Sequence, residues 1–194
     1  EVLGALVAGA AAEGIKAHME VRFGKSWIEL IRRVIQNKHD LVVAGTRNLG
    51  VVRGFLMGST GLKLLRKCPC PVWITRPQSE EQSRSILVAH CLRKVGDTAL
   101  ELGASLAQLY GAQLHIVHAL EFPDLDHVFP SLIRADKSPE LRSDARQHID
   151  AQLANFELAQ APQVHIVTES PDYAVLNRIE QYNIQLVVMG TVAR

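Results

Sequence analysis

Apolar positions follow two rhythms along this chain: short unbroken runs, and longer segments in which they recur every three to four residues. The unbroken runs Leu41–Ala44, Val72–Thr75, Ser85–Ala89, Gln113–Ala119, Gln163–Thr168 and Leu186–Val188 read as strands. Their lack of alternation suits a parallel sheet covered on both faces. The helical rhythm predicts one helix from a Ser26-x-x-Glu29 capping box, with Trp27, Leu30, Ile31 and Val34 inside. A second opens at Thr98-x-x-Glu101, carries Ala99, Leu102, Leu106 and Leu109 on one face and ends at Gly111. Pro139–Gln160 reads as a long helix, and Ser170-Pro171 supplies the cap and first turn of another, with Val175, Leu176, Ile179 and Tyr182 inside. Val2–Ala12 is too short to span a bilayer and lacks a basic leader, so it reads as a buried helix.

The pattern repeats. Val21–Thr46 matches Ile166–Thr191 at an offset of 145 residues, taking Gly45 against Gly190. Leu41-Val42-Val43 then falls on Leu186-Val187-Val188, Arg33 on Arg178 and Gln36 on Gln181. A period that long is a domain duplication, not a solenoid repeat. The implied unit is a doubly wound α/β domain, Rossmann-like, with a parallel five-stranded sheet, present as two incomplete tandem copies. The boundaries are 1–77 for the C-terminal part of a first unit, a polar linker at 78–84, and 85–194 for the N-terminal part of a second. The chain therefore reads as a segment of a longer tandem protein. An alternative is that the two pieces complement each other, the second supplying strands that the first lacks.

One segment carries candidate chemistry. The strand ending at Gly45 is followed by a loop through Gly50 and Gly54 to Gly58-Ser59-Thr60, where a short helix begins. Amide groups at a helix start lack intrahelical partners and carry the positive end of the dipole, so an anion fits there. Glycines let the backbone approach closely, and the Ser59 and Thr60 hydroxyls add donors. Arg47 and Arg53 are candidates to reach a phosphate, although loop arginines are more often solvated.

Composition narrows the rest. Across 194 residues the net charge is only +1, with no basic run that would mark a nucleic-acid backbone or a membrane surface as partner. Three cysteines and no recognisable leader argue for reduced thiols and a cytoplasmic setting. Cys68-Pro-Cys70-Pro has the wrong spacing for zinc and no second Cys/His pair, so it reads as packing between a helix end and a strand. No metal is predicted.

These residues resemble the universal stress protein family, specifically its tandem members, over nearly the whole chain. Ile86–Ala89 is similar to the family's first strand, Thr98–Tyr110 to its first helix, Leu114–His118 to its second strand and Leu64–Arg76 to its closing helix and strand. The resemblance implies an adenine nucleotide such as ATP, because Gly45-x-x-Asn48-x9-Gly58-Ser59 keeps the spacing of the family's binding motif. Asn48 stands where that motif has glycine; asparagine is the other residue that readily takes the left-handed conformation. The candidate nucleotide-binding residues are Gly45, Arg47, Asn48, Gly58, Ser59 and Thr60. The Asp that the family's ATP binders place after the first strand is His90 or Cys91 in the second copy.

His115 and His118 point to opposite faces of a strand and read as satisfied sheet histidines, while His90, at a strand end, could line a pocket. No Gly-x-Ser-x-Gly elbow, HExxH or paired carboxylates point to an enzyme. The apolar excursion Phe122–Leu132 either covers the sheet edge or meets a partner. Two function classes follow: a stress-response regulatory module that binds nucleotide, or a nucleotide-free dimerising scaffold joined through the edge strand 72–75. An adenylyl-chemistry enzyme is weaker, because Cys91–Gly96 offers no catalytic motif at the first strand–helix turn.

Overall fold

The computed structural model describes residues 2–45, 58–75, 84–120 and 132–191. Arg47, Asn48, Gly50, Arg53 and Gly54, the linker up to residue 83 and the excursion 121–131 lie outside them. The chain divides into two compact units, Glu1–Pro77 and Gln78–Val192.

In the first unit, helix α1 (Val2–Ala12) precedes α2 (Ser26–Asn37), β1 (Val42–Gly45), α3 (Ser59–Lys67) and β2 (Val72–Thr75). β1 and β2 pair in parallel, Val42 against Val72 through Gly45 against Thr75. Their core is small: Val34, Val42 and Leu64 are buried, with Trp27, Ile31, Ala44, Cys68, Cys70 and Val72 packed around them. The Lys63 ammonium lies 5.3 Å from the Trp27 ring centroid and ties α3 to α2. Cys68 closes α3, its N–H donating to the Leu64 carbonyl, and its Sγ lies 3.7 Å from that of Cys70. Both thiols are free and half-buried between helix end and strand, as their spacing implies.

Three expectations fail in this unit. α1 is helical but buries none of its residues, because it is apolar on every side and presents no single stripe to a core. The Ser26–Glu29 capping box does not form: Lys25 is the N-cap, Ser26 is already the first helical residue, and Glu29 pairs with Arg32 at 2.6 Å instead. β1 is not covered on both faces either, since Val43 is 61% exposed while Val42 is buried under α2 and α3.

The second unit is the fuller one. β3 (Ser85–Ala89), α4 (Lys94–Tyr110), β4 (Gln113–Ala119), α5 (Leu132–Leu153), β5 (Gln163–Val167), α6 (Pro171–Gln181) and β6 (Leu186–Met189) follow in order. All four strands are parallel, arranged β5-β4-β3-β6. Alternate residues divide the core between the faces. Ile86, Val88, Leu114, Ile116 and Val188 meet α4 and α5, whereas Leu87, Val117 and Ala174 form a cluster with Val175 and Ile179 of α6. The sheet is thus wound on both faces, and β3 and β6 flank the point where the winding reverses.

The helix faces differ from the sequence pattern in an instructive way. α4 starts at Lys94, four residues before the expected cap; Thr98 lies inside it, its hydroxyl donating to the Lys94 carbonyl. Its buried stripe is Gly96, Ala99, Leu100, Gly103, Ala104 and Ala107, while Leu102 and Leu109 face solvent. Small residues win because the helix lies so close to β3: a Cβ on Gly103 would stand 2.3 Å from Val88 Cγ2. Leu30 and Leu176 are likewise exposed, and α6 buries Ala174 and Arg178. Gly111 does end α4, at φ 61° with its N–H on the Ala107 carbonyl. Ser170 caps α6 by position, but its hydroxyl bonds to the Asp172 carboxylate, holding that group below the usual carboxylate range. α5 begins at Leu132, contains Pro139, and stops at Leu153 so that Phe156 and Leu158 can turn back onto the core.

Candidate functional site

Of the six residues expected to hold a nucleotide, Gly45, Gly58, Ser59 and Thr60 are described; Arg47 and Asn48 lie outside. Gly45 is the last residue of β1 and Gly58 is the N-cap of α3, at φ −57° and ψ 158°. Ser59 and Thr60 are therefore the first two helical residues, with orphan amides of the kind that bind anions. Among the described residues no side chain caps this terminus, and a Cβ built on Gly58 would meet none of them within 4 Å.

In the second unit, the same strand end is closed. Gly190 follows β6 as Gly45 ends β1, but a Cβ there would lie 2.5 Å from Val95 Cγ2 and 2.6 Å from the Val95 carbonyl oxygen. The start of α4 thus occupies the space beside Gly190. Glycine is needed there for close packing, whatever else it does.

Beside that packed turn, at the C-terminal end of β3, three side chains converge. His90 is buried, with no side-chain exposure, and its Nε2 lies 3.2 Å from Asp97 Oδ1. His148, from α5, places its own Nε2 2.9 Å from the same oxygen. The Leu92 N–H donates to His90 Nδ1 at 3.2 Å, so in neutral His90 the proton sits on Nε2 and faces Asp97. His118 Nδ1–H donates to the His90 carbonyl at 2.8 Å, and the His90 N–H to the Val117 carbonyl at 2.9 Å. Hydrogen bonding to His148, then His90, holds the Asp97 carboxyl below the usual range. Burial pushes the His90 imidazole down despite its carboxylate neighbour. The sequence marks His90, at a strand end, as a pocket candidate but carries no signal for its partner His148, because only the packing of α5 on α4 brings His148 within reach.

On the opposite face of β4, His115 and His165 stack with ring centroids 5.6 Å apart, and Tyr182 lies 4.5 Å from His115. His115 Nδ1 and His165 Nε2 are 3.3 Å apart. His115 and His118 are thus satisfied sheet histidines on opposite faces. Arg178 donates to Glu169 at 2.8 Å beneath this group. Among the described residues no helix is long and apolar enough to cross a membrane.

The universal stress protein family model matches residues 1–76 and 82–194. The chain belongs to the universal stress protein family. Its two matched segments agree with the internal repeat and with a tandem universal stress protein. Universal stress protein E of Photorhabdus laumondii is 25% identical over 181 residues, covering 85% of this chain and 56% of the relative. Universal stress protein E of Escherichia coli is 26% identical over 187 residues, covering 85% and 55%. The universal stress chain thus spans about half the length of these curated relatives. Among solved structures, a universal stress protein from Archaeoglobus fulgidus is similar with a TM-score of 0.67 at 26% identity, covering 97% of this chain and 64% of that one. A putative universal stress protein from Pseudomonas aeruginosa gives 0.73 at 19% identity, a likeness of fold, over 100% and 67%.

Proposed function

We propose that this universal stress protein is a cytoplasmic regulatory module whose first unit takes up an adenine nucleotide at the start of α3. The observation that carries the reading is the start of α3: Gly58 is its N-cap, no described side chain lies over it, and Ser59 and Thr60 follow. Backbone amides and two hydroxyls there suit a phosphate, and Gly45 ends the neighbouring strand where ligands of parallel sheets bind. Arg47 and Asn48 belong to the loop between them in sequence. Binding serves as an input to regulation, with no catalytic set invoked.

Calorimetry of the chain with ATP, ADP and AMP tests this, paired with nucleotide extraction from purified protein. Gly58→Glu is the informative variant. The backbone angles at Gly58 suit any residue and no described residue lies in the space above, so the fold should survive while a carboxylate meets the phosphate. The expected loss is at least about tenfold in affinity, or ~1.4 kcal/mol. Absence of heat with all three nucleotides, together with no extractable nucleotide, would refute the reading.

A second reading is a scaffold that self-associates through β2. Among the described residues β2 pairs only with β1, so one edge of it offers no strand partner, and Trp73 is half-buried. Light scattering of the chain and of Trp73→Lys decides it: a monomer unchanged by the substitution removes edge pairing.

A further inference from the structure

The buried face where β3, α4 and α5 meet carries a donor set that the nucleotide reading does not use. His90, Asp97 and His148 each offer one ligand atom, and these atoms all lie within 4.8 Å of one another. We infer that His90, Asp97 and His148 form a binding site for a divalent transition metal of the zinc class in the second unit.

The chemistry of the set selects the ion. Two imidazole nitrogens and one carboxylate oxygen are borderline ligands that suit Zn²⁺, Co²⁺ or Ni²⁺, whereas Mg²⁺ and Ca²⁺ prefer oxygen throughout. Geometry agrees. Ligand atoms about 2.0–2.2 Å from a tetrahedral zinc stand roughly 3.3 Å from one another. The two nitrogen–oxygen edges, at 3.2 and 2.9 Å, are already near that value. Only the His90–His148 edge has to close, and it closes from the flexible side: His148 is 43% exposed on α5, while His90 is fixed by burial. Three protein ligands leave a fourth position for water or a substrate group, the arrangement of an open zinc site.

Anchoring is strongest at His90. Its backbone N–H and carbonyl are both committed to β4, to Val117 and His118. Its Nε2 must release its hydrogen to accept a metal, which in a neutral ring transfers the proton to Nδ1. That nitrogen now accepts from the Leu92 N–H, so capture has to turn the Leu92 amide away. Leu92 sits at φ 51°, a conformation disfavoured for leucine, and release from it offsets part of the lost hydrogen bond. Each metal-bound histidine then carries its proton on Nδ1 in place of Nε2, and no net proton is released. Metal capture is thereby coupled to the β3–α4 turn that also packs Val95 against Gly190.

The test uses the full chain with Zn²⁺ alone, by calorimetry, and Co²⁺ alone, by visible absorption. One equivalent should bind, and the Co²⁺ spectrum should show the intense bands of a low-coordinate nitrogen–oxygen site. His148→Ala, on an exposed position that leaves the fold intact by circular dichroism, should weaken Zn²⁺ binding by ~100-fold, as should Asp97→Asn. His39→Ala, at an exposed histidine of the first unit, serves as control and should change nothing. The Leu92 amide resonance should move on Zn²⁺ addition in the wild-type chain and stay fixed in His148→Ala. Stoichiometric binding unchanged by His148→Ala and Asp97→Asn, or no stoichiometric binding at all, would overturn the assignment. Nucleotide calorimetry on the same variants separates the two sites, since loss of metal without loss of nucleotide heat leaves the first-unit reading untouched.

Discussion

Replacing Gly103 with alanine sets two physical effects against each other inside the second unit. Alanine is favoured over glycine in a helix interior by ~1 kcal/mol, so on propensity alone the change stabilises α4. Packing opposes it, because the added Cβ would lie 2.3 Å from Val88 Cγ2, where carbon atoms normally stay about 3.5–4.0 Å apart. Val88 has no exposure and sits on a strand paired on both sides, so neither it nor β3 can yield the missing distance freely. Overpacking of this kind costs about 1–3 kcal/mol, leaving a net loss of up to about 2 kcal/mol after the propensity gain of ~1 kcal/mol. The partner substitution Val88→Ala removes two methyl groups and costs about 2 kcal/mol. In the double variant the new Cβ enters the space that Val88 vacated, so its loss should fall short of the sum by at least ~1 kcal/mol. The assay is urea unfolding followed through tyrosine, because Tyr110, Tyr173 and Tyr182 all belong to the second unit while Trp27 and Trp73 both belong to the first. Additive losses across the cycle, or a Gly103→Ala chain more stable than wild type, would refute the close approach of α4 to β3.

Two further outcomes follow from single groups. Burial first, then the charges of His115 and Arg178, pushes His165 down to about 4 from its ordinary 6.5, while Tyr182 stacks beside it and Glu169 neutralises Arg178. The folded chain then binds fewer protons than the unfolded one below pH 6.5, so stability falls as pH drops from there to about 4 and levels off beneath it. Allowing for solvent around a half-buried ring, the loss is about 1–2 kcal/mol, and His165→Gln should flatten it; an unchanged pH profile in that variant would count against the assignment. The Cys70 thiol is raised to about 11, chiefly by burial and by its hydrogen bond with Cys68, whereas Cys91 is exposed. Iodoacetamide at mildly alkaline pH, read by mass spectrometry, should label Cys91 well before Cys70, whose thiolate fraction is about one in a thousand; the reverse order would contradict the packing.

How far the sequence speaks depends on what each element needs from its neighbours. The strand runs Val72–Thr75, Ser85–Ala89 and Gln113–Ala119 were legible to the residue, because strands of a parallel sheet read as short, mostly apolar runs without alternation. The repeat taking Gly45 onto Gly190 was legible too, and with it the family. Helix faces were not. Leu102, Leu109, Leu30 and Leu176 carry the strongest hydrophobic signal, yet they face solvent, while glycine and alanine line the buried side of α4. Hydrophobicity scales reward side-chain size, but a helix pressed against a sheet selects for the absence of it.

The start of α3 after Gly58 was legible from the sequence, since a glycine, two hydroxyl residues and a helix start are neighbours in the chain. By contrast, the meeting of His90, Asp97 and His148 depends on distance across the fold. Asp97 comes from the first turn of α4 and His148 from α5, 51 residues further on, and only the packing of both helices on one face of the β3–β4 sheet sets their ligand atoms side by side. Sequence determined the strands, the duplication and the family because these rest on local pattern. Tertiary structure decided which face each helix buries, why Gly190 is packed against Val95, and which distant side chains share one charge, because those follow from how closely the layers approach.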